Sequence, residues 1–120
     1  MIKTAGQQQV RVRENVRGGT GAVSFHDFLT EEDAFGAGHL FSRTVIPAGA
    51  SIGEHQHEGE FEVYYLLSGQ AEVLEGDEWV TLNKGDMHRC ASGESHAIRN
   101  NGSQEAELIM LILYENAAHI

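Results

Sequence analysis

The sequence predicts an all-β domain, a sandwich or a barrel. Two observations carry that expectation. From residue 22 onward, short runs rich in Val, Ile, Leu, Phe, Tyr and Thr recur at close intervals, each closed by Gly, Asn, Asp or Ser. The 120 residues hold a single proline and one fair helix candidate, Thr30-Glu31-Glu32-Asp33-Ala34, which Thr30 could cap over one short turn. The length is that of one domain.

The elements follow in order. Residues 1–21 carry Lys3, Arg11, Arg13 and Arg17 against the single acid Glu14, and they end in Gly18-Gly19-Thr20-Gly21. They read as a loose N-terminal arm and a turn, suited to lie on an acidic surface such as a second copy of the chain. Residues 22–120 form the barrel proper. Its expected strands are Val23–Leu29, His39–Ile46, Phe61–Leu67, Gln70–Leu74, Glu78–Leu82, Met87–Cys90, His96–Arg99 and Glu107–Tyr114. Turn signals separate them at Pro47-Ala48-Gly49, Ser68-Gly69, Glu75-Gly76-Asp77, Asn83-Lys84-Gly85, Ser92-Gly93 and Asn100-Asn101-Gly102.

Charge and composition exclude several functions. The formal net charge is −10, which argues against a nucleic-acid partner, because phosphate contacts need a basic surface. A lone cysteine, Cys90, cannot close an intramolecular disulfide or build a cysteine-rich zinc fold. The longest apolar run, Leu108 to Tyr114, is far short of the roughly 20 residues of a membrane-spanning helix. Met1 to Val10 lacks the apolar core of a signal peptide, so a cytoplasmic protein is expected.

Seven histidines are the compositional excess that matters. His55 and His57 are two apart, so in extended chain they point to one face and can meet one ion. In the run Phe61–Leu67, Glu62, Tyr64 and Leu66 share a face, with Val63, Tyr65 and Leu67 opposite. A carboxylate on such an inward face needs a partner, since an unpaired buried charge is costly. His88 and His96 form a second candidate cluster downstream. Glu54, Glu58 and Glu60 lie around Gly59 and read as a solvated hairpin tip.

The spacing Gly49-x5-His55-x-His57-x4-Glu62-x6-Gly69 resembles the first signature of the cupin superfamily at every marked position. Gly85-x5-Ala91-x-Gly93-x2-His96-x3-Asn100 resembles the second, with Ala91 where the family usually has proline. The resemblance implies a small double-stranded β-barrel, or jelly roll, of two antiparallel sheets, with a homodimer as the expected assembly. It implies His55, His57, Glu62 and His96 as ligands of one divalent transition metal. Three imidazoles and a carboxylate suit Mn, Fe, Co, Ni, Cu or Zn. The glycines at 49, 69, 85 and 93 are expected at strand ends with positive φ.

The phrases Ile52-Gly-Glu-His-Gln-His-Glu-Gly-Glu and Glu62-Val-Tyr-Tyr-Leu-Leu-Ser-Gly are most similar to small oxalate-decarboxylase-like cupins. That implies manganese and a small dicarboxylate ligand. True oxalate decarboxylases carry an arginine three residues before the first metal histidine, where this chain has Ile52, and they duplicate the barrel. The resemblance therefore bears on the acid as a ligand more than on its decarboxylation.

Arg43, Arg89 and Arg99 are candidates for the missing cation. His88 is a candidate general base if it and Cys90 face the pocket. Tyr64 is a candidate hydrogen-bond donor to substrate, and Cys90 reads as structural. His26, His39 and His119 match no signature and read as bystanders. Three function classes follow: a metal-dependent decarboxylase or dioxygenase, a binding or sensing barrel, and a metal-stabilised structural barrel. A polar pocket favours the first two.

Overall fold

Side chains alternate in burial along the strands, so the chain pairs into sheets with one face turned to the core. A computed structural model describes residues 1–115. Its ten strands are β1 (Gln9–Glu14), β2 (Ala22–Asp27), β3 (Gly38–Ile46), β4 (Ser51–Gln56), β5 (Glu60–Ser68), β6 (Ala71–Glu75), β7 (Glu78–Leu82), β8 (Met87–Cys90), β9 (Ser95–Arg99) and β10 (Ala106–Tyr114). They form two antiparallel sheets, ordered β1-β2-β3-β10-β5-β8 and β4-β9-β6-β7. Among the described residues no helix is long and apolar enough to cross a membrane.

The inner faces close on one core. β10 supplies Ala106, Leu108, Met110 and Ile112, β5 supplies Tyr64 and Leu66, and β9 supplies Ile98 from the opposite sheet. Burying a side chain such as Leu66 or Ile98 contributes about 1.5–3 kcal/mol each. The parity expected for Phe61–Leu67 holds: Glu62, Tyr64 and Leu66 are buried and Tyr65 is exposed. The candidate helix is a set of turns, capped as expected by Thr30, whose Oγ1 accepts from Asp33 N at 3.0 Å.

The N-terminal arm is not loose. Residues 9–14 pair with β2 along their whole length, and Arg11 grips Asp27 with two bonds of 2.6 and 2.9 Å. That carboxylate is buried, so the bidentate pair anchors the strand. Residues 16–18 then make a tight turn against β4. A strand absent from the expected set, β4, carries the first histidine.

Glycine permits two close approaches that position the site. Gly49, Gly69, Gly85 and Gly93 all lie at positive φ, between 76° and 89°. At Gly69 a side chain would also collide with the Glu105 carbonyl oxygen. At Gly53, on β4, it would collide with the Arg17 carbonyl oxygen.

Candidate metal centre

A bulge sets the aim of the first histidine. Ile52 opposes Ile98 and His55 opposes His96, so Gly53 and Glu54 on β4 face the single residue Ala97 on β9. The extra residue turns His55 to the same interior as Ile52 despite their odd spacing. Backbone bonds continue past β4, with His57 N donating to Glu94 O at 3.1 Å and Gly93 N to His57 O at 2.7 Å. Both histidines therefore look inward. Glu62 comes from β5 in the other sheet, and His96 from β9.

The structure brings His55, His57, Glu62 and His96 together, with one ligand atom of each inside a 4.8 Å span. His57 Nε2 lies 3.0 Å from Glu62 Oε1 and 3.1 Å from His96 Nε2. His96 Nε2 lies 3.0 Å from Glu62 Oε1 and 3.1 Å from His55 Nε2. His57, Glu62 and His96 are buried.

The far side of each imidazole settles its tautomer. His55 Nδ1 donates to Gly53 O at 2.7 Å, the carbonyl of the bulge. His57 Nδ1 donates to Glu60 Oε2 at 2.7 Å. His88 Nδ1 lies 3.0 Å from Glu75 Oε1, which can only accept, so His88 Nε2 is left to accept from His96 Nδ1 at 3.0 Å. All three rings thus present an unprotonated Nε2 to one point. Three facing lone pairs and a carboxylate demand a cation between them. Separations of 3.0–3.1 Å match neighbouring ligands placed about 2.1 Å from one ion. The donor set fits a transition metal, and anchored Nδ1 groups of this kind orient metal ligands and raise their basicity.

Titration follows the same geometry. Burial pushes the Glu62 carboxyl up, but the imidazoles of His55, His57 and His96 around it outweigh burial and hold the group below the usual carboxylate range. The Glu62 hydrogen bond raises His57 against its burial, while burial lowers His96. Burial keeps the Tyr64 phenol neutral, with its oxygen 3.3 Å from His96 Nε2. Burial also pushes the Cys90 thiol up to about 11, so Cys90 is a structural thiol, as expected.

His55, His57 and Glu62 of the cluster line a cavity of about 110 Å³. Phe25, Leu40, Ile52, Met110 and Ile112 give it apolar walls, and Arg17, His39, Glu60 and Tyr64 give it polar ones. A volume well below the roughly 300–1,000 Å³ of drug-sized sites fits a ligand of few atoms.

Several candidates fall elsewhere. Arg43 does not reach the cavity: it alternates with buried Ser42 and Thr44 on β3 and pairs outward with Glu107 at 3.1 Å. His88 faces inward but stands behind His96, outside the cavity lining, with both nitrogens engaged. Arg89 is exposed, and Arg99 lies over Trp79 at 3.8 Å and pairs with Glu72. Glu60 is no solvated tip. It bridges His57 and His39, whose Nε2 lies 2.9 Å from Glu60 Oε1. His39 and Arg17, neither of them singled out for the pocket, line the cavity. His26 stays half-buried on β2, between buried Phe25 and Asp27, and His119 lies outside the described residues.

The chain is 39% identical over 99 residues to an oxalate-binding protein of Thermotoga maritima, covering 82% of each. A crystal structure of a predicted oxalate decarboxylase from Thermotoga maritima superposes with a TM-score of 0.89 at 35% identity, over 95% of this chain and 99% of that one. A xanthan biosynthesis protein of Xanthomonas campestris is 28% identical over 110 residues, 90% of this chain but 22% of its own length. Residues 42–112 match the cupin domain model, and the chain belongs to the cupin family.

Proposed function

We propose that the chain holds one divalent transition metal on His55, His57, Glu62 and His96 and uses it to bind a small carboxylic acid such as oxalate. The observation that carries this reading is the convergence of three imidazole Nε2 atoms and one carboxylate oxygen within 4.8 Å of one another, with His55, His57 and Glu62 lining a small mixed cavity. Manganese is the ion the family resemblance favours. When bound, such an ion supplies a Lewis acid for a carboxylate oxygen. The chain's own residues do the rest. The Nδ1 anchors keep the rings turned inward, and Tyr64 offers a neutral hydroxyl.

Relatives named for oxalate support the ligand class. Binding is favoured over proton-transfer catalysis because His39 and His88 spend ring nitrogens on Glu60, Glu75 and His96. We place the protein in the cytoplasm as a homodimer. Its thiol is buried, and β1 ends a sheet with Val10 and Val12 exposed.

The test is calorimetric titration of oxalate into manganese-loaded and chelated protein, with elemental analysis of wild type and His57→Ala. Expected are oxalate binding that needs the metal and a sharp fall in metal content in the variant. Unchanged metal content, or oxalate binding indifferent to chelation, overturns the reading. Carbon dioxide release from oxalate above the buffer rate moves it to an enzyme.

A further inference from the structure

Arg17 is the one Lys or Arg among the described residues that lines the cavity. Lys3, Arg11, Arg43 and Arg99 are each paired with a carboxylate, whereas Arg17 pairs with none of the described residues. Its backbone is held in a conformation most residues avoid, with φ of 53°. Strain of this kind persists only where surroundings over-determine it, and it concentrates at ligand clamps.

Those surroundings tie Arg17 to the metal centre through one residue. Gly53 can only be glycine, because a side chain there would strike the Arg17 carbonyl oxygen. The carbonyl of the same Gly53 accepts the His55 Nδ1 proton at 2.7 Å. Gly19 packs as tightly on Ser51, and Ser51 N donates to Thr20 O at 2.9 Å. β1 anchors the other end through Arg11 and Asp27. The tight turn is thus locked against β4 from both sides, with Arg17 at the cavity wall.

Charge gives the lock a purpose. Glu60 and Glu62 line the same cavity, in a chain whose net charge is −10. A divalent ion beside Glu62 retains a single positive charge, too little for an acid that brings two carboxylates. We infer that Arg17 is the second anion subsite, receiving the carboxylate that the metal does not hold, and so makes the site selective for dicarboxylates over monocarboxylates. The inference rests on the proposed metal-bound acid. The guanidinium is exposed without ligand, so it is solvated until the acid arrives. Its planar fork then matches a carboxylate with two parallel bonds.

The experiment compares oxalate with acetate on manganese-loaded wild type, Arg17→Met and Arg17→Lys, with metal content and melting temperature recorded for each. Expected for Arg17→Met is an oxalate affinity loss of about 10- to 100-fold, the range of a lost charged hydrogen-bond pair. Acetate affinity and metal content should stay at wild-type levels. Arg17→Lys, which keeps charge without the fork, should fall between the two. Oxalate binding by Arg17→Met at wild-type strength overturns the inference, as does an equal loss for acetate. Wild type that binds neither acid through its metal overturns the proposed function instead. The two failures are therefore distinguishable.

Discussion

Glu60 offers a quantitative test of the metal centre that leaves all four ligands in place. Its Oε2 accepts from His57 Nδ1 at 2.7 Å, and its Oε1 pairs with His39 Nε2 at 2.9 Å. Glu60→Gln keeps the length and can still accept from His57, but it removes the charge. A hydrogen bond to a charged group contributes about 1.5–3 kcal/mol and a neutral one about 0.5–1.5, so the difference is about 1–1.5 kcal/mol. Partial exposure of Glu60 puts the value at the lower end through solvent screening. In metal affinity that is a loss of roughly 5- to 10-fold. Competition against a chromophoric chelator measures it, and elemental analysis should still find one metal per chain. Glu58, exposed on the same hairpin, supplies the control Glu58→Gln, which should bind as wild type. Equal affinity in Glu60→Gln and wild type, or equal loss in the control, refutes the role given to the Nδ1 anchor.

Three further outcomes are expected. Metal affinity should fall as pH drops: His57 is raised above 6.5, so protons begin to compete with the ion at or above that pH, and a flat chelator-competition profile from about pH 8 to 5 contradicts the ligand set. Cys90, with its thiol pushed up to about 11, should resist iodoacetamide in the folded state at pH 8 and react after unfolding; rapid native alkylation contradicts its assigned inertness. Asn100→Ala should destabilise by about 3 kcal/mol and lower the melting temperature by roughly 10 °C. Its buried side chain donates to Ile46 O and Gln104 O at 2.8 Å and accepts from Gly102 N at 2.9 Å, and a melting temperature within a degree of wild type contradicts that accounting.

The ligand set was legible through the resemblance to the two cupin signatures, and direction along a strand agreed with it for His55, His57 and Glu62. His55-x-His57 and the parity of Glu62 with Tyr64 needed only the two-residue repeat. The supporting residues carried weaker signals. Glu60 shares the parity of Glu62, yet its neighbour Gly59 reads equally well as a solvated tip. His39 stands alone in its strand, and nothing local connects it to a residue 21 positions away. Arg43 and His88 were misplaced for opposite reasons. Arg43 is outward by strand parity on β3, and His88 is inward but screened from the cavity by His96.

By itself the sequence determined the all-β class through the recurrence of its short apolar runs, and its two glycine- and histidine-bearing spacings carried the family resemblance that implied the four converging side chains. The tertiary structure alone decided which other residues reach the cavity. The basic N-terminal segment alternates Val10 and Val12 with Arg11 and Arg13, but both valines stay exposed, so burial does not mark it as a strand and its place beside β2 shows only in the backbone pairing and the distant Arg11–Asp27 contact. Arg17 reaches the site through Gly53, 36 positions along the chain, where only the absence of a side chain lets two backbones meet. Contacts of that kind are set by sheet topology and by a bulge.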